Sequence, residues 1–446
     1  DEGKYIDYVY TLVPGSYMVD FNIQLVGLEN VIDQNVSNID VYWEIYAPAL
    51  ERGEEAINNY ATVYYKHYQD EVEHFRGRSN KEMQEENIPT RVKWIAFKNQ
   101  FFSTALIAQN HFSNAEVRET DLSETKKYMK NFRAEIGIPL DDPSNTTIPM
   151  QFYLGPNHYN TLKKFEGLEL QSLVDVGGFL SKIINRYIII PIFNFLNNYI
   201  ANYGIIILIL TLIIKVALFP LTYRSYLSQA KMRVLKPQID AINEKIPKEK
   251  AMERQQATMG LYRKAGVNPM GGCLPMLLQM PILIAMFRFF PASIELRQES
   301  FLWADDLSTY DAIIEWSGNI PLITRFFGNH LSLFTLLMTI STMISMRMSN
   351  TTTTSTQMPG MKGMMYVMPV MFMFILNSFS AGLTYYYFLA NLITIGQNAI
   401  SKRSIDEKAL LKKLEAKKAK PKKKSGFQKR LEDVAKQKGY NQPKKR

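Results

Sequence analysis

The sequence has a single cysteine, Cys273, in 446 residues. An intrachain disulfide is therefore excluded, and so is a metal site built from several thiolates. Histidine is scarce as well. There are five, and His67, His74, His111 and His158 are scattered through the first 160 residues without ligand spacing. No GxxxxGK[ST], GxSxG or HExxH pattern occurs, so nucleotide hydrolysis, serine-hydrolase chemistry and zinc peptidase chemistry lack support. The most informative absence is of charge. Residues Gly363–Ile400 form a run of 38 without one Asp, Glu, Lys or Arg.

Where charge is present it is partitioned. Residues 1–170 carry 16 Lys/Arg against 26 Asp/Glu, residues 171–400 carry 18 against 11, and residues 401–446 carry 18 against 5. An acidic front, an apolar middle and a basic tail imply three surroundings, with a polyanionic partner for the tail.

The first 170 residues read as β-rich. Tyr5–Val13, Tyr17–Leu25, Asp40–Tyr46 and Val92–Leu106 alternate Tyr, Val, Ile and Phe with polar residues, and Pro14-Gly15 marks a turn. Arg76–Pro89 is polar and reads as a loop or an excursion from the sandwich. An antiparallel sandwich is expected over 1–170. From Leu170 the spacing becomes helical. Residues 171–201, with Lys182, Arg186, Asn194 and Asn197 among apolar residues, read as a helix lying in a membrane interface.

A bilayer core takes about 20 mostly apolar helical residues. Five spans are expected, near 204–222, 270–288, 331–349, 363–379 and 382–400, with Asn377–Gly382 as the turn of the last hairpin. Residues 223–268 hold ten Lys/Arg against four acidic residues, whereas 289–330 hold two against six. The basic loop and the tail 401–446 are thus assigned to the cytoplasm and the sandwich to the outside. A front half exported in this way needs an anchor, so a sixth span is expected before Asp1. Within the loop, Arg224–Lys264 reads as a helical hairpin broken at Lys245–Lys250.

Lys215 is the sharpest single signal. An ammonium inside an apolar span costs roughly 2.5–3.5 kcal/mol on insertion scales. It either snorkels to the interface or sits in a wet cavity. Thr211, four residues earlier on the same helical face, favours the cavity. Of 22 methionines, many cluster in Met270–Met286 and Met358–Met373, as suits an adaptable apolar surface or ordinary helix packing. In the tail, Lys422-Lys423-Lys424 and Lys444-Lys445-Arg446 are clusters that bind phosphate groups, whether of ribosomal RNA or of anionic lipids.

Several motifs resemble those of the YidC insertase family. They are Asn268-Pro269-Met270-Gly271-Gly272-Cys273-Leu274-Pro275-Met276-Leu277-Leu278-Gln279-Met280-Pro281-Ile282, Ser380-Ala381-Gly382-Leu383-Thr384-Tyr385-Tyr386-Tyr387 with Asn391, and Phe219-Pro220-Leu221-Thr222 followed by Lys231-Met232. Tyr10–Tyr17, Trp94–Phe102 and Phe152–Pro156 resemble segments of that family's periplasmic domain. The resemblance implies an N-terminally incomplete extracytoplasmic β-supersandwich, followed by a five-span α-helical bundle with a cytoplasmic hairpin.

The resemblance also implies a groove open to cytoplasm and lipid and closed outside, with a basic residue, usually arginine, that attracts the polar part of a substrate. Lys215 occupies that position, although lysine lacks arginine's bidentate fork. Thr211, Gln279, Tyr386 and Tyr387 complete the candidate groove, and Met276, Met280, Met368 and Met371 the candidate apolar slide. The expected function is insertion and chaperoning of membrane proteins, with nascent membrane proteins, the ribosome, the Sec translocon and anionic lipids as partners. No catalytic residue, cofactor, metal or small-molecule substrate is expected. The alternatives are a carrier or channel for a small anion and a membrane-anchored carbohydrate-active enzyme.

Overall fold

The computed structural model describes residues 3–33, 35–75, 82–125, 127–140, 145–247, 249–268, 271, 274–318, 324, 327–350 and 361–419. Cys273 and the basic clusters Lys422, Lys423, Lys424, Lys444, Lys445 and Arg446 lie outside the described residues, as does the side chain of Met276.

The front half is an antiparallel β-sandwich. Its strands are β1 (Tyr5–Leu12), β2 (Met18–Val26), β3 (Asn38–Pro48), β4 (Thr62–His67), β5 (Val72–His74), β6 (Met83–Ile88), β7 (Val92–Lys98), β8 (Phe102–Phe112), β9 (Asn114–Asp121), β10 (Tyr128–Pro139) and β11 (Asn145–Pro156). One sheet runs β1-β2-β11-β8-β7-β4-β5 and the other β3-β10-β9-β6. Phe21, Ile23 and Leu25, at alternate positions of β2, point into the core between the sheets with Ile95, Phe97, Phe132 and Ile136.

The large sheet is also covered on its other face. Trp94, Ala96, Ala105, Ile107 and Tyr153 pack there against Leu162, Leu170 and Leu173. The indole N–H of Trp94 donates to the Leu168 carbonyl at 2.7 Å. Truncating so deeply buried an aromatic costs roughly 3–5 kcal/mol.

Two expectations for this half need correction. Val92–Leu106 is not one strand but the start of a hairpin, turning at Asn99–Phe101 where Asn99 N–H donates to Phe102 O at 2.8 Å. Both faces of β7 are covered, so Trp94–Phe97 is apolar without alternation, and the polar Lys98-Asn99-Gln100 that follows leads into the turn. The polar segment after Arg76 is not a loop throughout. Met83–Ile88 pairs with β9, and its polarity follows from an edge position facing solvent.

The second half is helical: α1 (Glu54–Tyr60) and α2 (Tyr159–Lys163) belong to the sandwich, and α3 (Phe179–Ile184), α4 (Ile190–Asn197), α5 (Tyr203–Val234), α6 (Lys236–Lys245), α7 (Ala251–Ala265), α8 (Leu274–Ala292), α9 (Leu333–Asn350), α10 (Met361–Leu376), α11 (Ala381–Ser404) and α12 (Glu407–Ala419) follow. The helix expected over 171–201 begins later, at Phe179. A 3-10 turn covers Leu170–Leu173, the backbone turns at Gly177 with φ +86°, and a π-turn at Asn185–Ile189 links α3 to α4 within one continuous helix. By length and composition, Phe179–Asn197 and Tyr203–Val234 are apolar and long enough to cross a membrane, and Leu277–Ala292, Leu333–Met348 and Tyr366–Leu376 are shorter apolar helices.

The chain forms two compact units, one of residues 1–216, 278–343 and 366–393, the other of residues 217–277, 344–365 and 394–446. In the second, Met232, Leu235, Ile239, Tyr262, Ala265, Val267 and Leu414 share one apolar cluster. Arg233 donates to Glu407 through Nε at 2.8 Å and approaches it through Nη2 at 2.7 Å. Helix α7 ends at Gly266, whose φ of +68° is the left-handed conformation that a helix C-terminus favours glycine for. Within Arg224–Lys264, α6 and α7 are separated by a break after Lys245, and α5 continues without interruption to Val234. The start of the basic tail is likewise helical. Leu410, Leu411 and Leu414 give α12 one apolar side while Lys408, Lys412 and Lys413 stay exposed.

Candidate functional site

Helix α5 has two faces. Ile206, Ile207, Leu210, Thr211, Ile214 and Lys215 are buried, whereas Ile205, Leu208, Leu212, Ile213 and Val216 are exposed. Lys215 thus lies on the covered stripe, one turn after Thr211, and is 5 % exposed. Its Nζ donates to Oε1 of Gln279 on α8 at 3.2 Å. The ammonium therefore turns towards a neighbouring helix, not along α5 to its end. An ammonium so enclosed interacts with an approaching carboxylate far more strongly than a surface lysine does, because water screens it less.

The other expected groove residues differ in burial and partners. Thr211 is fully buried and donates to its own helix at Ile207 O, 2.6 Å away. Tyr386 of α11 is buried with its ring 5.9 Å from that of Phe290 on α8, and Tyr387 is half-buried. Met280 projects from an exposed apolar row of α8 with Leu277 and Ile284. On α10, Met371 is exposed beside Val367, Phe372 and Ile375, and Met368 is half-buried.

Residues that sequence reasoning passed over make further polar links. Asn391 of α11 donates to Thr342 Oγ1 at 2.7 Å and Ser341 Oγ at 3.1 Å on α9. Asn391 was visible as a motif residue, but nothing in the sequence pointed to its partners. Asp311 and Asn377 form a second network at the N-terminal end of α9.

The sandwich and the segment that follows it meet α8 and the residues after α8 through a set of polar contacts. Gln100 Nε2 donates to Pro291 O at 2.9 Å, Arg288 pairs with Asp175 at 2.9 Å, and Arg297 pairs with Glu51 at 2.8 Å. Close by, Lys98 is buried with its Nζ 5.4 Å from the centre of the Tyr64 ring. Burial pushes its pKa down to about 8, opposed by the charge of Asp175 and reinforced by that of Arg288. Among the described residues, no three His, Cys, Asp or Glu side chains gather as a metal site requires.

A lysine buried among apolar helices that are joined to a β-sandwich points to a class: helical membrane proteins carrying a β-sandwich domain. Comparison with known proteins narrows the class. Residues 195–408 match the family model described as 60Kd inner membrane protein, and residues 1–191 match that of the YidC periplasmic domain. A protein of Parabacteroides distasonis named membrane protein insertase YidC is 48 % identical over 445 residues, covering 97 % of this chain and 69 % of that protein. Proteins of the same name from Bacteroides fragilis and Porphyromonas gingivalis are 45 % and 41 % identical over 449 residues, each covering 98 % of this chain and 71 % of the relative.

The chain belongs to the YidC family of membrane protein insertases. It is accordingly an inner-membrane protein with a periplasmic domain, from a family of insertases and not of catalytic enzymes. The carrier and sugar-enzyme alternatives give way to this assignment.

Proposed function

We propose that the chain inserts membrane proteins through a polar groove in which Lys215 is the attracting charge and Gln279, Thr211, Tyr386 and Tyr387 are its neighbours. The observation that carries this reading is the position of Lys215, which lies on the covered face of α5 and bonds to α8 instead of reaching along α5 to its end. A charge held there stabilises the acidic or polar end of an arriving chain where lipid alone would oppose it. The substrate's own apolar helix supplies the driving force as it partitions into lipid, along the exposed apolar rows around Met280 and Met371, a slide to which Met276 and Met368 are also assigned. Each buried CH2 contributes about 0.8 kcal/mol, so a whole span needs no nucleotide.

In this arrangement the sandwich (1–170) is periplasmic, 171–201 lies at the interface, and 202–400 forms the five-span core. The hairpin 223–268 and the tail 401–446 are cytoplasmic, since basic loops are retained there. The tail engages the ribosome through its lysines, and α12 launches it from the base of the hairpin. Anionic lipids attract the same lysines, and the Sec translocon is a partner for substrates with long exported segments.

Site-directed crosslinking tests the groove. A photoreactive residue at Gln279 or Tyr387 is expected to capture a nascent single-span substrate, with the adduct peaking when the span has just left the ribosome. Adducts no stronger than those from Leu50, an exposed position on the sandwich, would contradict the reading.

A further inference from the structure

The segment Phe301–Asp311, between α8 and α9, is fastened to the neighbouring ends of several helices. Asp311 is its anchor. Its side chain is buried and accepts hydrogen bonds from Trp303 Nε1 at 2.8 Å, Ser332 Oγ at 2.5 Å and the Phe334 backbone N–H at 2.9 Å. The carboxylate therefore caps the start of α9, where unpaired N–H groups and the helix dipole favour a negative charge.

Other bonds close the ring. Ser332 N–H donates to Asn377 Oδ1 at 3.0 Å, and Asn377 Nδ2 donates to Phe327 O and His330 O at 2.7 and 2.8 Å, tying the end of α10 to the start of α9. Leu307 O and Thr309 O accept from Gly382 N–H at 2.9 Å and Ala381 N–H at 2.6 Å, capping α11. A Cβ on Gly382 would stand 3.1 Å from Leu307 O, tighter than an ordinary contact, so a larger side chain there must displace the segment. The Phe301 ring lies against Gly204 at the start of α5 and 5.1 Å from the Tyr385 ring. Thr309 Oγ1 also donates to Arg52 O of the sandwich at 3.2 Å.

We propose that Phe301–Asp311 is a plug closing the helical bundle at its sandwich end, and that Asp311 is the positioning residue that seats it. The segment joins the ends of α5, α9 and α11 directly and that of α10 through Ser332 and Asn377. It is built from backbone carbonyls and one carboxylate, which together satisfy N–H groups that would otherwise draw water to these ends. An insertase that opens a polar groove to one side of a bilayer needs such a barrier, since without it each insertion event would leak protons and ions. The plug rests on the membrane arrangement proposed above, but not on Lys215.

Proteoliposomes of the full chain, with a pH-sensitive dye inside and an imposed proton gradient, provide the test. Asp311→Ala is expected to raise proton leak at least fivefold while insertion of an acidic-tailed substrate stays within twofold. Asp311→Asn is expected to restore tightness, because its carbonyl still accepts and the Ser332 hydroxyl can reverse to accept from the new amide. Gly382→Val pushes the segment off from the opposite side and should leak like Asp311→Ala, which covers the case in which Asp311→Ala does not fold. Lys215→Glu is expected to lower insertion without leak, so a failed groove and a failed plug give different results. A folded Asp311→Ala or Gly382→Val protein as tight as the parent, even with a lowered melting temperature, would reduce Asp311 to a plain stability element and overturn the proposal.

Discussion

Nζ of Lys215 and Oε1 of Gln279 lie 3.2 Å apart, and this bond joins α5 to α8 within one compact unit. It is a charge-assisted bond in covered surroundings, where hydrogen bonds to charged groups contribute about 1.5–3 kcal/mol. Gln279 is a neutral acceptor, so this bond holds the ammonium in place without itself neutralising the charge.

Gln279→Leu is therefore expected to lower the thermal unfolding midpoint of the purified protein, by an amount corresponding to roughly 1–3 kcal/mol. Insertion should fall less than in Lys215→Glu, because the charge survives. Gln279→Glu retains an acceptor but neutralises the charge, so it should keep the midpoint and lose insertion. Midpoint and insertion measured on the same preparations separate these outcomes.

Lys98 gives the sandwich a dependence on pH. Its folded pKa of about 8 lies below the unfolded value of about 10.4, so between these the unfolded chain binds more protons. Stability is accordingly expected to rise as pH increases from about 8 towards 10, and the gain to be absent below pH 8. Lys98→Met removes the buried ammonium. It should raise the unfolding midpoint at pH 7 and flatten its slope above pH 8, as followed by the fluorescence of the sandwich tryptophans Trp43 and Trp94.

Docking of α12 depends more on Leu414 than on the ion pair beside it. Leu414 is buried in the hairpin cluster, and its truncation to Ala costs roughly 2–5 kcal/mol. The Arg233–Glu407 pair is partly exposed, at 25 % and 44 % of the two side chains, and such pairs contribute about 0–1 kcal/mol. Limited proteolysis near Ser404 should accelerate strongly in Leu414→Ala and only slightly in Glu407→Ala. Equal acceleration would contradict this ordering.

Much of the architecture is legible in the order of residues because it follows from short-range pattern. Alternation in Tyr5–Val13 and Tyr17–Leu25 marks β1 and β2, and the uncharged run Gly363–Ile400 with its polar centre marks α10, a turn and α11. Pattern fails where burial is two-sided, as in β7 and β8, or where a strand is at a polar edge, as in β6. The candidate site divides the same way. The depth of Lys215 in its helix can be read directly, but its partner Gln279 is 64 residues away and the family resemblance was needed to single it out. Asp311 gave no signal, since the groups that explain it come from Trp303, Ser332, Phe334 and, through Ser332, Asn377.

The charge of Lys215 is proposed to recruit the polar end of a substrate. The most direct measurement is insertion of two otherwise identical single-span substrates, one with an acidic and one with a basic leading segment, in cells depleted of the native protein and supplied with the parent or with Lys215→Glu. The account predicts that Lys215→Glu lowers insertion of the acidic substrate at least tenfold and leaves the basic one equal or improved, with Lys215→Arg matching the parent. Equal insertion of both substrates by parent and Lys215→Glu would contradict it.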